Sequence, residues 1–357
     1  MYRVGIVGMG FGATVHLPAF AAHRNVEVVA LADNGSGRAE ALISKNDHKL
    51  LAFSNGLSLI DWGGIDIVSI AAPPIEQEKL VRAALINGKH VLCEKPFCLS
   101  ANVADELACL AQDRRLLGAL FYEFRYDPGI KRLIELVNSE EIGKVQHLDV
   151  TWQTSGALDL QRAWSWRNDS KQGGGVLIDW FIHVADYASL IAQSPVRNVR
   201  ARAGTVITQE RIDRNMVIRS VSAPDECEVV CEFESGVTGV FAVSNACLAP
   251  VGHKIKVTGD RGSIVYHHPP PFSSNGRIVR LVREYGEEIM VDLDLTNFWP
   301  SSDQRVAAAS DLIADLLATL EGESRSLLPS FRDGAKNWGV IEAAISAVAD
   351  GCQHQVR

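Results

Sequence analysis

Tyr2-Arg3-Val4-Gly5-Ile6-Val7-Gly8-Met9-Gly10-Phe11-Gly12-Ala13 is an apolar run that gives way, after Val7, to glycines at alternate positions and then an alanine. Arg3–Val7 reads as a strand covered on both faces, because parallel strands buried in this way need not alternate polar with apolar residues. The residues after it fit G-x-G-x-x-G/A, and each small residue has a steric reason. Gly8 permits a tight turn, Gly10 removes the Cβ that would keep a pyrophosphate away, and Ala13 lets a helix pack closely on the strand. Phe11 and Gly12 complete a loop that would present phosphates to a helix N-terminus, where free N–H groups and the helix dipole favour anions. Asp33 ends the second apolar run, where a carboxylate can hold ribose hydroxyls and repel a 2′-phosphate. That charge favours NAD. Arg38, just beyond Ser36, could instead receive the phosphate of NADP.

Working outward, short apolar runs alternate with helical periods as far as Phe121. Strands are expected at Arg3–Val7, Val26–Ala32, Leu51–Phe53, Ile67–Ala71, His90–Cys93 and Leu117–Phe121, with helices at Leu17–Ala22, Arg38–Ser44, Ile75–Ile86 and Asn102–Gln112. Six such strands with crossovers describe an α/β, doubly wound parallel sheet, a Rossmann domain over residues 1–122. From residue 123 to 357 the pattern changes to a second, α+β domain. A helix at Gly129–Val137 precedes a strand at Val145–Gln153, and a glycine-rich turn leads into a helix carrying Asp179 and His183. Period-2 runs follow at Arg197–Ile207, Glu226–Phe233, Val237–Ala246, His253–Thr258 and Ile278–Val282. They predict an open-faced, largely antiparallel sheet with helices on one face. His267-His268-Pro269-Pro270-Pro271 reads as a loop, and two closing helices are expected at Ser302–Leu320 and Ser330–Asp350.

The composition narrows the function classes. The 357 residues are 47% hydrophobic and 22% charged, with a net charge of −8 and scattered basic residues, which argues against a nucleic-acid partner. No apolar run reaches the ~20 residues of a membrane span. With a strand starting beside Met1 and no leader-like segment, a cytoplasmic protein is expected. Seven cysteines without metal-like spacing predict buried free thiols and no metal site.

Two further stretches carry chemistry. Cys93-Glu94-Lys95-Pro96 lies at the carboxyl end of the fifth strand, the edge where open α/β sheets bind ligands. Gly173-Gly174-Gly175-Val176-Leu177-Ile178-Asp179-Trp180-Phe181-Ile182-His183 sets a carboxylate and a titratable base four residues apart, on one face of a helix. Together with Ala71-Ala72-Pro73-Pro74, Phe124-Arg125-Tyr126-Asp127-Pro128 and Trp166-Arg167, in this order, these motifs make the chain resemble the Gfo/Idh/MocA family, the glucose–fructose oxidoreductase and inositol dehydrogenase relatives, over essentially its whole length.

The resemblance implies hydride transfer between NAD, or NADP, and a secondary alcohol or ketone of a sugar, cyclitol or related polyol. It places Lys95, Asp179 and His183 around the reacting carbon, and Ala72, Pro73, Glu94 and Lys95 beside the cofactor. Histidine titrates near working pH, so His183 is the expected general base. Lys95 would offset a developing alkoxide and Asp179 would fix the substrate. Asp186 either orients the imidazole or caps the helix. Glu123, Arg125, Trp152, Trp164 and Arg167 are the expected substrate wall, since aromatic rings with a few polar groups suit a polyhydroxylated ligand. Three departures from the family pattern stand out: Gln77 where a histidine is common, Glu123 where an asparagine is frequent, and Phe181 where glycine is usual, narrowing the Asp179/His183 face. Two other readings share these motifs: a dinucleotide-binding sensor without catalysis, and a redox-recycling glycosidase-like or lyase-like enzyme. The uncovered sheet face predicts a homodimer or homotetramer.

Overall fold

The computed structural model describes residues 1–46, 49–273, 276–283, 286–293, 303 and 305–356. The chain divides into two compact units, one of Met1–Tyr126 with Asn297–Ala335, the other of Asp127–Thr296 with Lys336–Arg357.

The first unit holds β1 (Tyr2–Val7), α1 (Leu17–Ala21), β2 (Val26–Ala32), α2 (Arg38–Asn46), β3 (Leu51–Phe53), α3 (Gly56–Asp61), β4 (Ile67–Ile70), α4 (Pro74–Ile86), β5 (His90–Glu94), α5 (Ala101–Asp113) and β6 (Gly118–Phe121). All strand pairs are parallel and their order is 3-2-1-4-5-6. In such a sheet the chain reverses its winding between β1 and β4, and the carboxyl ends of those strands form the ligand crevice. The six strands match the expected ones to within a residue at each end. The short α3, absent from the sequence reading, is set by its cap: the Asn55 side chain accepts the Ser58 N–H.

The second unit contains α6 (Pro128–Asn138), β7 (Val145–Gln153), α7 (Val176–Asp179), α8 (Phe181–Ala192), β8 (Val196–Gly204), β9 (Glu210–Ile212), β10 (Ile218–Ser220), β11 (Glu226–Phe233), β12 (Thr238–Ser244), β13 (Gly252–Gly259), β14 (Gly262–His268), β15 (Ile278–Arg283), β16 (Glu288–Val291) and β17 (His354–Gln355). Its main sheet runs 16-15-14-13-7-12-11-8-17. Among the described residues only β7 and β12 pair in parallel, so the sheet is mixed and largely antiparallel. Alternation decides the two faces: along β11, Cys227, Val229, Cys231 and Phe233 are buried, while Val230 points the other way and is exposed. Helices α6, α7 and α8 pack against strands of this sheet.

Several expectations are corrected. His267 and His268 end strand β14, with Val251 and Ser273 carbonyls as partners; the loop begins only at the prolines. The helix expected at Ser302–Leu320 runs as α9 (Arg305–Leu320), its expected start at Ser302 lying outside the described residues, and α10 spans Phe331–Asp350. Instead of belonging with residues 123–357, α9 buries Val306, Ala309, Leu312, Ile313 and Leu316 in the first unit's core with Val15, Phe20 and Phe121. An apolar stripe shows that a helix is covered, not what covers it. Cys109 and Cys352 are exposed, unlike the expected buried thiols; Cys93, Cys98, Cys227 and Cys231 are buried.

Candidate active site

In the first unit, the loop after β1 has the shape that its glycines suggest. Gly8 takes φ +106°, and a Cβ there would lie 2.4 Å from the Ala71 carbonyl oxygen at the end of β4. Gly10 is exposed, and a Cβ on it would meet nothing within 4 Å. One glycine lets the two strand ends approach; the other leaves an open cradle. Residues Gly12–His16 then form a wide helical turn that runs into α1, with Ala13 and Thr14 donating to the Gly10 carbonyl. The Phe11 ring packs edge-on to His16 and Phe121, under the Arg305 guanidinium.

Asp33 is buried at the end of β2 and holds the start of α2. Its Oδ1 accepts from Gly35 N–H, and its Oδ2 from Ser36 Oγ and from the N–H groups of Arg38 and Ala39. Burial raises its pKa, but the bonds from Ala39, Gly35, Ser36 and Arg38 outweigh burial and leave it below the usual carboxylate range. The carboxylate is therefore ionised and fixed, with capacity left on Oδ1 for a ribose hydroxyl. Exposed Arg38 donates through Nε to Ser36 beside it. Open space at Gly10, N–H groups of a helix start and a fixed carboxylate together fit a dinucleotide.

At the carboxyl end of β5, Glu94 accepts from His16 Nε2 at 3.0 Å while His16 Nδ1 lies 2.6 Å from Ser69 Oγ. His16 is fully buried and stacks on Phe121 with centroids 4.4 Å apart. Sequence reading passed over it; the available signal was one polar residue between apolar Val15 and Leu17, just ahead of the first helix. Lys95 follows, half-buried. The Gln77 side chain ties its loop down, donating to the Ala72 carbonyl and accepting the Phe97 N–H, so this departure bridges the loops after β4 and β5. Glu123 shares the charged cluster of Glu94, Lys95 and Arg305. Burial, then Glu94, push its carboxyl up to about 8 against the opposing pull of Lys95 and Arg305. Arg125 is not an open wall residue: it is buried, donating to the Leu327 carbonyl and pairing with Asp333 at 3.4 Å.

In the second unit, Gly175 takes φ +91° where a Cβ would press on Pro224 at 2.6 Å, and α7 starts immediately after it. The Asp179/His183 helix is broken. Asp179 closes α7, Trp180 lies between the two helices at φ −113° and ψ −48°, and α8 restarts at Phe181, bent by 44° from the preceding segment. Asp179 and His183 thus flank a break, both buried. Arg167 reaches Asp179 Oδ2 at 3.3 Å while lying over the Trp166 ring. Trp152 stacks between Trp180 (4.8 Å) and His253 (4.9 Å), with the His183 ring 6.3 Å away. His253 is held neutral by burial, its pKa down to about 3, with the Tyr187 hydroxyl 2.9 Å from its Nε2. Trp180 and His253 were not singled out from sequence. One expectation changes here. Phe181 is fully buried against Phe241, part of the core rather than a wall over the site. Trp164 donates through Nε1 to the Ser220 carbonyl, bracing the β9–β10 hairpin. Asp186 accepts from Asn337 on α10. Among the described residues, no group of three or more His, Cys, Asp or Glu side chains is placed to hold a metal ion, and no single helix is long and apolar enough to cross a membrane.

Family models match two stretches of the chain. A model described as an oxidoreductase family with an NAD-binding Rossmann fold matches residues 2–121, and one described as the GFO/IDH/MocA C-terminal domain matches residues 130–265. An uncharacterized oxidoreductase of Synechocystis is 25% identical over 347 residues, covering 88% of this chain and 92% of the relative. Glucose-6-phosphate 3-dehydrogenase of Bacillus subtilis is 26% identical over 351 residues, covering 96% and 95%. A levoglucosan dehydrogenase solved with NADH and L-sorbose shares the fold at a TM-score of 0.89 and 20% identity, covering 100% of this chain and 99% of that one.

Proposed function

Because the chain belongs to the Gfo/Idh/MocA oxidoreductase family, we propose that it is an NAD(P)-dependent dehydrogenase of a sugar, cyclitol or related polyol, with Lys95, Asp179 and His183 as its catalytic residues. The observation that carries the reading is that the chain holds both a dinucleotide cradle, in the first unit, and buried Asp179 and His183 around the α7/α8 break, in the second. The nicotinamide, when bound, supplies the acceptor for a substrate hydride. Everything else falls to side chains. His183 takes the hydroxyl proton during oxidation and returns it during reduction. Lys95 stabilises negative charge on the substrate oxygen as the proton leaves. Asp179, held by Arg167, accepts a hydrogen bond from a neighbouring hydroxyl and so fixes which carbon reacts. The half-buried rings of Trp152 and Trp180 offer an apolar surface for the C–H face of a sugar. The relatives named for glucose 6-phosphate and for inositol support a polyhydroxylated substrate. Asp33 favours NAD, and the uncovered face of the second unit's sheet serves self-association in a cytoplasmic homo-oligomer.

The test is a screen of sugars, cyclitols and sugar derivatives with NAD and with NADP, alongside His183→Ala. Turnover of at least one polyol is expected, with kcat/KM reduced in the variant by the ~10²–10⁴-fold that general acid–base catalysis contributes. A variant with near-wild-type kcat/KM at every pH would remove His183 from its role.

A further inference from the structure

Beside Asp179, wholly within the second unit, lies a pocket of about 80 Å³ whose wall includes Arg162, Arg167, Arg211, Asp225 and Asn245. That is well below the ~300–1,000 Å³ of sites that enclose a whole ligand, so it suits one substituent of a larger molecule. Its charge is unusual. Arg211 is only 7% exposed, yet its guanidinium is held by neutral groups alone: Nη1 donates to the Asp159 carbonyl at 2.7 Å and to that of Arg162 at 3.1 Å, and Nη2 to that of Ala157 at 2.6 Å. Among the described residues no carboxylate comes within 4 Å of Arg211 or of Arg162, whose side chain is exposed. The two acids on the wall are otherwise engaged. Asp179 pairs with Arg167, and Asp225 accepts the N–H groups of Val206 and Ile207.

Buried charges are normally paired, because removing an ion from water without a counter-charge is costly. Arg211 has its hydrogen bonds but no opposite charge, and the carbonyls keep its rigid fork in place. From this arrangement we infer that the pocket is a subsite for an anionic substituent of the substrate, a carboxylate or a phosphate, gripped by Arg211 and Arg162 while Arg167 stays with Asp179. Planar guanidinium forks match both anions. The inference rests on the dehydrogenase reading for the rest of the ligand, a sugar, and narrows its class to acidic sugars.

The test measures binding without turnover, by calorimetry on the full chain saturated with NADH. The probes are glucose, galactose and mannose, their uronic acids and their 6-phosphates. At least one acidic sugar should bind tenfold or more tightly than its neutral parent, about 1.4 kcal/mol. That ratio should collapse toward one in Arg162→Ala and in Arg211→Lys, and shrink as salt is raised. Preference for the uronic acid identifies a carboxylate site; preference for the 6-phosphate identifies a phosphate site. Neutral sugars binding as well as the acidic ones, no probe binding at all, or a preference that survives both substitutions would overturn the inference. Should Arg211→Lys fail to fold, Arg162→Ala decides alone. A charge preference in a protein that oxidises no polyol would refute the dehydrogenase reading and leave the subsite standing.

Discussion

Two alanine substitutions two residues apart separate packing from ligand binding in the first unit. At Gly8, alanine forces an L-residue to φ +106° and puts its Cβ 2.4 Å from the Ala71 carbonyl oxygen, a backbone atom that cannot swing aside. Left-handed backbone costs about 1–2 kcal/mol and overpacking about 1–3 kcal/mol, so a loss of roughly 2–5 kcal/mol follows. At roughly 2–4 °C per kcal/mol, the melting temperature should fall by about 4–20 °C. At Gly10 the new Cβ meets nothing, and alanine also restricts the unfolded chain, so stability should hold or rise by up to about 1 kcal/mol. The same methyl group would occupy the space a pyrophosphate needs, and NADH affinity should fall tenfold or more. Melting curves without cofactor and an NADH fluorescence titration read the two effects independently. If Gly10→Ala binds NADH like wild type, or melts as early as Gly8→Ala, the cradle has been misplaced.

Other consequences can be read as directly. Asp33→Ser together with retained Arg38 should raise NADP affinity relative to NAD, and an unchanged ratio of dissociation constants would remove the carboxylate as the discriminator. Glu123 has a folded value of about 8 against 4.5 for the free side chain, so between those pH values the folded state keeps a proton that the unfolded state has released. Stability therefore falls as pH rises through that window and levels off above it. Glu123→Gln should melt higher than wild type above pH 8, with the gap closing toward pH 5; parallel melting curves across the range would refute the buried acid. Gln77→Leu leaves the buried Phe97 N–H without its acceptor, a cost of about 1–3 kcal/mol, and should lower kcat through the Lys95 loop, an effect that Gln77→Glu should partly rescue. Val230→Asp, facing Val240 across the open side of the sheet, should reduce the mass seen by light scattering to that of a monomer. An unchanged mass would move the interface elsewhere.

What could be read from the sequence, and what could not, divides along a physical line. The parallel strands of the first unit were legible because each is a short apolar run stopped by glycine, proline or a charge, and the cofactor loop because its glycines answer to local sterics. Residue type and spacing say far less about partners. Arg125 beside the fold's ligand edge reads as a substrate contact, yet its guanidinium is committed to Leu327 and Asp333, some two hundred positions along the chain. His16, Trp180 and His253 drew no notice because their meaning comes from Glu94, Trp152 and Tyr187, residues no local pattern links to them.

The Asp179/His183 pair shows how a motif's spacing can mislead about geometry. Spacing of four on one straight helix would align the two side chains and set Phe181 between them as a gate. The chain instead ends α7 at Asp179 and restarts at Phe181, and Trp180 between the two helices stacks its ring on Trp152. Phe181, the first residue of α8, lies in the core against Phe241. Trp180, which periodicity assigns to a different face from Asp179, becomes the ring that lines the same pocket as Asp179 and stacks on the tryptophan beside His183. Substrate choice in the second unit is therefore better sought at Trp152, Trp180 and the arginines around Asp179 than at Phe181. Enlarging or shrinking Phe181 should change melting temperature, while Trp180→Ala should change which polyols bind.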